Sequence, residues 1–224
     1  MFDLEFLFEA LVPALNRGLA MSLLLILPSS VLGLLLGILI GSVRAVGHPA
    51  AQKAGDWYAA LFRGTPLLVQ LMILYFGLPN LGIYFSPYVA AVLGFVLCSG
   101  AYHSEYVRGG LLSIKKGQYL AAQSLGFSTW ATMRRIIVPQ ALRRALPGCG
   151  NELIYLIKYS SLAYIITFIE LTGEGKIIAS KYFRFTEAFL VVGFYYLVLV
   201  TLATLGLGKL EKRLYIPGFG RGHN

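Results

Sequence analysis

Long apolar stretches separated by short polar ones make up most of the chain. Five stand out, at 18–43, 54–78, 88–107, 150–169 and 188–210. Each has roughly the 20 residues that carry a helix across about 30 Å of hydrocarbon. The pattern predicts an all-α integral membrane protein with five spans in one transmembrane domain covering residues 1–224. Asp56 and Arg63 interrupt the second span. Pro66, just beyond, withholds an amide and crowds the carbonyl four residues earlier, which predicts a kink or break there. In the first span Ser29, Gly33, Gly37 and Gly41 recur every fourth residue. They line one helix face with small side chains and permit close helix contact, within the chain or between two copies.

Between the third and fourth spans the pattern changes. Residues 108–149 are polar and punctuated by glycine and proline, with two Arg-Arg pairs. Gln118 to Leu125 is helix-compatible, and Gly126 is placed to end that helix in a left-handed conformation. Ser128 suits the N-cap of a second short helix. Phe127, Trp130, Met133 and Ile137 recur along it at helical spacing, Arg134 and Arg135 sit near its C-terminal end where positive charge is favoured, and Pro139 is expected to stop it. A short helix with one apolar stripe needs a cover. By this reading alone, lipid headgroups and a partner protein serve equally.

Composition agrees with a membrane protein. The chain is 57% hydrophobic and 13% charged, against about 25% charge in soluble domains. The formal net charge is +9, and its distribution assigns it to cytoplasmic loops rather than to nucleic-acid binding. With the N-terminus outside, the inner segments hold thirteen basic residues: Arg44, Lys53, Arg108, Lys115, Lys116, Arg134, Arg135, Arg143, Arg144, Lys209, Lys212, Arg213 and Arg221. The outer segments hold four: Arg17, Lys176, Lys181 and Arg184. This bias puts the C-terminus and the 108–149 loop in the cytoplasm. The acidic start lacks the basic region of a secretory signal, so no cleavage is expected. Cys98 and Cys149 lie in or beside apolar stretches and are not expected to form a disulfide framework.

Ordered motifs carry a family resemblance. Leu120-Ala121-Ala122, three residues, Gly126, nine residues, Ile136, one residue, Val138-Pro139 resembles the cytoplasmic loop of ABC importer permeases. That loop reads Glu-Ala-Ala, three residues, Gly, nine residues, Ile, one residue, Leu-Pro. Leu120 and Val138 depart from it. Arg63 to Gln70, reading RGTPLLVQ, is similar to the polar amino-acid branch of these permeases. So are Ala101-Tyr102, Glu105, Arg108-Gly109-Gly110, Gly117-Gln118, Pro139-Gln140-Ala141, Asn151-Glu152, and Lys158 with Ser160-Ser161-Leu162.

The resemblance implies the type I ABC importer permease fold in the bacterial cytoplasmic (inner) membrane, and uptake of a polar amino acid. It implies a homodimer or a heterodimer with a related permease, two cytoplasmic ATPase subunits that bind ATP and Mg, and an extracytoplasmic solute-binding protein. No cofactor is expected in this chain. The 117–140 loop becomes the coupling helix that docks on the ATPase, through Gln118, Leu120, Ala121, Ala122, Gly126, Phe127, Arg134 and Pro139. Leu120 adds apolar area where a carboxylate usually stands.

Polar residues within spans nominate a solute pathway. The candidates are Arg63, Thr65, Glu105, Glu152, Lys158, Ser160, Ser161 and Glu170. A carboxylate suits an amino acid's ammonium, and Lys158 or Arg63 suits its carboxylate. Lys158 is nearest mid-membrane. The competing reading is that these charges pair with one another and hold the bundle together. Enzyme signatures are missing. Three scattered histidines make no metal cluster, and Gly175-Lys176 lacks the phosphate loop's first glycine and its Ser or Thr, having Glu170 and Ile177 there. A self-sufficient secondary transporter or channel is the alternative. It would need an acidic ion-coupling group in mid-span, where the chain has Lys158.

Overall fold

The computed structural model describes residues 4–214, all helix and connecting turn. Among the described residues nine α-helices follow in chain order: α1 Val12–Val46, α2 Pro49–Gly64, α3 Leu67–Met72, α4 Pro87–Leu112, α5 Lys116–Ser124, α6 Thr129–Thr132, α7 Val138–Tyr159, α8 Leu171–Tyr182 and α9 Phe185–Leu214. Arg221, counted above among the inner basic residues, lies outside the described residues.

The centre is the α1–α4 pair; α7 packs on α4, and α9 packs on α7 and α8. The small-residue stripe of α1 makes this approach possible, and its partner is α4 of the same chain. A Cβ on Gly33 would stand 2.1 Å from Ser99 Oγ, and one on Gly37 would stand 2.2 Å from His103 Cβ. Three apolar clusters stack along the bundle. Phe6, Leu11 and Leu15 meet α8 and the start of α9 at one end. Leu67, Leu71, Phe95 and Leu156 fill the middle. Val107, Leu111 and Ile114 meet Ile137, Ala141 and Ala145 at the other end.

Among the described residues, two helical stretches are long and apolar enough to cross a membrane, Phe6–Val46 and Phe185–Leu214. Two more qualify if each bent pair counts as one span: Pro49–Gly64 with Leu67–Leu81, bent by 99°, and Thr129–Ile166 with Leu171–Tyr182, bent by 54°. The expected 88–107 span is α4. It is 26 residues long, but it spends Ser99, His103 and Ser104 on the buried seam with α1.

The first bend stands where Pro66 predicts it, and Gln70 holds it. Its Nε2 donates to the Phe62 carbonyl at 2.8 Å, the Thr65 carbonyl at 3.0 Å and Thr65 Oγ1 at 2.9 Å. These are orphan acceptors at the end of α2, which apolar surroundings would otherwise leave unsatisfied. Pro28, inside α1, likewise withholds an amide from the Leu24 carbonyl, and Tyr88 Oη donates to that carbonyl at 3.3 Å.

Four boundaries differ from expectation. The first helix begins well before residue 18, because Asn16 and Arg17 find partners. Tyr195 Oη donates to Asn16 Oδ1 at 2.8 Å, and Arg17 pairs with Glu174 at 3.8 Å. Pro139 does not stop its helix. It occupies the first turn of α7, and a π-turn at Met133–Ile137 loosens the register just before it. Helix therefore enters the 108–149 loop from both sides. The 150–169 stretch is broken rather than straight. Ser160 and Ser161 hydroxyls donate to the Ile157 and Lys158 carbonyls, both at 2.8 Å, and a tight 3-10 turn follows.

The fourth difference is α8, which takes up a segment read above as an outer loop. Glu170 creates it. Its carboxylate accepts from the Thr172 and Gly173 amides at 2.9 Å each, from Tyr196 Oη at 2.8 Å and from Ser22 Oγ at 3.5 Å. This is an N-cap reinforced from α1 and α9.

Two outcomes check the packing. Gly37→Ala overpacks the seam and costs about 1–3 kcal/mol, read as a lower Tm in detergent, whereas Gly193→Ala, with open space around it, leaves Tm unchanged. Glu170→Ala strands buried donors at a cost of about 1–3 kcal/mol. Glu170→Gln retains one amide acceptor and loses less.

Candidate functional site

The α5–α6 loop is a closed local structure. Gly126, at φ +77°, ends α5. The Phe127 amide donates to the Ala122 carbonyl at 3.0 Å and the Gly126 amide to the Gln123 carbonyl at 2.9 Å, which is the Schellman pattern. Ser128 then caps α6, its Oγ accepting from the Ala131 amide at 3.3 Å. Ala122 and Ile137 are buried and anchor the loop to the bundle. The expected apolar stripe divides. Ile137 and Met133 pack inward, while Trp130 turns outward with the Arg134 guanidinium 5.0 Å from its ring centroid. Leu120 (62% exposed), Leu125 (76%) and Trp130 (67%) are all exposed on this loop. Of the expected docking residues, Gln118, Leu120, Ala121, Gly126 and Arg134 are exposed, Phe127 and Pro139 are half-buried, and Ala122 is buried. Gln118 Oε1 accepts from Gln140 Nε2 at 3.3 Å.

The candidate pathway residues fall into separate groups. Arg63 and Glu105 meet: Arg63 Nη1 lies 2.7 Å from Glu105 Oε1, and its guanidinium stands 5.5 Å from the Tyr102 ring centroid. Arg44 completes this cluster, although sequence reasoning assigned it only to loop charge. Its Nη2 donates to Glu105 Oε1 at 2.6 Å, its Nε to Asp56 at 2.8 Å and its Nη1 to Ser104 Oγ at 2.8 Å. Arg108 lies 3.9 Å from Glu105 Oε2. Three guanidiniums thus face two carboxylates. The hint in the sequence was the pair Asp56 and Arg63 inside an apolar stretch, charges that need an internal counter-ion. Thr65 belongs to the bend, with its hydroxyl donating to the Leu61 carbonyl at 2.9 Å. Gln70, which closes that bend, was also missed as a functional side chain, and the RGTPLLVQ stretch was its signal.

Glu152 projects from α7 toward Cys98, Tyr102 and Tyr106 of α4. It is 4% exposed and, among the described residues, accepts no hydrogen bond and makes no ion pair. Lys158, less than two turns further along α7, is exposed. Its ammonium lies 4.6 Å from the Tyr155 ring centroid, and that ring stacks on Tyr159 with centroids 5.8 Å apart. Ser160 is buried and Ser161 half-buried. Glu170 stands apart from the other candidates as the α8 cap.

The comparisons with known proteins fit this arrangement. Residues 33–215 match the family described as "Binding-protein-dependent transport system inner membrane component". The chain is 40% identical to a probable amino-acid ABC transporter permease protein, YckA, of Bacillus subtilis (strain 168), over 90% of this chain and 89% of that one. It is 38% identical to the glutamine transport system permease protein GlnP of Escherichia coli (strain K12), over 96% and 99%. A solved amino acid ABC transporter crystallised with histidines superposes with a TM-score of 0.88 at 32% identity, covering 95% of this chain and 99% of that one. This chain, all helix with an anchored and capped interhelical loop, belongs to the binding-protein-dependent ABC importer permeases: it is the multi-pass, non-catalytic subunit in the bacterial inner membrane, and ATP binding belongs to its partner ATPase.

Proposed function

We propose that the chain forms, with a second permease chain, the route by which a polar amino acid such as glutamine or arginine enters the cytoplasm. The substrate class is carried by relatives that transport glutamine (38% identical) and arginine (36% identical). The helices cross five times, α4 included, with the N-terminus outside and the C-terminus inside. The basic bias of the loops supports that orientation. The ATPase docks on the 117–140 loop. The observation that carries this is the exposure of Leu120, Leu125 and Trp130 on a loop whose own backbone is closed and capped. An exposed apolar patch on an anchored, rigid element suits a protein groove. Leu120 contributes apolar contact in place of a carboxylate.

The pathway runs between α4 and α7, past Glu152, the tyrosines around it and Lys158. A buried carboxylate without a partner is costly, and a substrate ammonium would relieve that cost. Lys158 supplies the complementary charge for the substrate carboxylate. Glu170 is left out of the route, because capping employs both of its oxygens. The extracytoplasmic binding protein meets α8 and the turn after it, around Glu174, Lys176, Lys181 and Arg184. ATP binding closes the ATPases, and the docked loops carry that movement to the helices.

Purification in mild detergent brings down an ATPase whose activity rises with the binding protein and its amino acid. A lone, active chain overturns this reading and favours a secondary transporter. A thermal-shift screen of the binding protein against the twenty amino acids names the substrate. Gly126→Asp loses the left-handed turn or buries a charge at the contact, and it uncouples hydrolysis from uptake. Wild-type uptake by that variant sinks the docking site. Glu152→Gln raises the KM of uptake by roughly ten- to a hundredfold, the worth of a charged hydrogen bond, and Lys158→Ala does likewise. An unchanged KM in both removes them from the pathway.

A further inference from the structure

The α5–α6 loop and the α2–α3 bend are joined by a continuous line of packed residues. Ile137, Ala141 and Ala145 close on Val107, Leu111 and Ile114 at the end of α4. Gly110 admits the Ala141 carbonyl so closely that a Cβ there would stand 2.6 Å from it. Arg144 Nη1 donates to the Ser113 carbonyl at 2.6 Å. Packing this tight transmits displacement rather than absorbing it, so the end of α4 moves with the loop.

Glu105 stands on α4 between that end and the bend. Its Oε1 accepts from Arg44 and Arg63 together, at 2.6 and 2.7 Å, and the two arginines are not equivalent. The Arg44 side chain is 5% exposed. Asp56 and Ser104 hold it as well, and its stem lies across Gly55, where a Cβ would stand 2.6 Å from Arg44 Cγ. The Arg63 side chain is 39% exposed and rests on Tyr102. It also sits at the end of α2, one residue before Gly64 and the 99° bend. Releasing Arg63 leaves Glu105 neutralised by Arg44, so no buried carboxylate is stranded. One arm of the cluster is fixed and the other is free to part.

We infer that Glu105 is a positioning residue that carries displacement of the coupling loop to the α2–α3 bend, with Arg44 as its fixed arm and Arg63 as its releasable one. This inference rests on the docking of the ATPase at the 117–140 loop. The test uses the whole transporter in vesicles, with its ATPase and binding protein, following uptake of radiolabelled glutamine and arginine beside ATP hydrolysis. In Arg63→Gln, hydrolysis stimulated by the binding protein persists. The kcat of uptake falls roughly tenfold, the scale of coupling changes along such networks, and KM holds. Arg63→Lys, which keeps the charge, restores most of the uptake. Adding Arg63→Gln to Glu105→Gln costs uptake nothing further, because the ion pair between Arg63 and Glu105 is already lost. Hydrolysis and uptake falling in proportion, or a raised KM with kcat intact, overturns the inference. Those outcomes mark Arg63 as a structural pair or a substrate contact instead. Failure of the binding protein to stimulate hydrolysis in the unmutated complex sinks the docking reading instead.

Discussion

The near contact of α1 with α4 sets the geometry of everything else. Gly33, Gly37 and Gly41 let two backbones approach until Ser99, His103 and Ser104 fill the space that side chains on α1 would take. In hydrocarbon, helices gain little from hiding apolar surface, so close van der Waals packing must hold them together. That seam places Arg44, one turn beyond Gly41, beside Ser104 and Glu105. It also sets α4 as the central post on which α2, α3 and α7 lean.

The second constraint is that no water is at hand to satisfy polar groups. Three irregularities in the helices accordingly come with a built-in donor or acceptor. Gln70 serves the carbonyls at the α2 break, Tyr88 serves the carbonyl freed by Pro28, and Glu170 serves the first amides of α8. Buried charges follow the same rule, with Arg44 engaging three partners. Among the described residues Glu152, 4% exposed, forms no such hydrogen bond or ion pair within the chain.

The loop between α4 and α7 combines both constraints. Ala122, Ile137 and Ala141 are spent on anchoring, and the turn at Gly126 is closed by its own backbone. Leu120, Leu125 and Trp130 stay exposed.

The helical class was legible in the sequence because apolar run length and the need to satisfy every backbone group leave few alternatives in a membrane. Local turn chemistry was equally legible. Gly126, Ser128 and Pro66 act where their own backbone preferences place them. The motif spacing named the family for the same reason, since it reflects a local loop structure. What only the tertiary structure decided concerns partners distant in the chain. Glu170 reads as a pathway carboxylate until Ser22 and Tyr196 arrive from α1 and α9. Arg44 reads as loop charge until the α1–α4 seam carries it to Glu105, 61 positions away. Sequence encodes what a residue can do within its own turn of helix, and long-range packing selects which of those capacities is used.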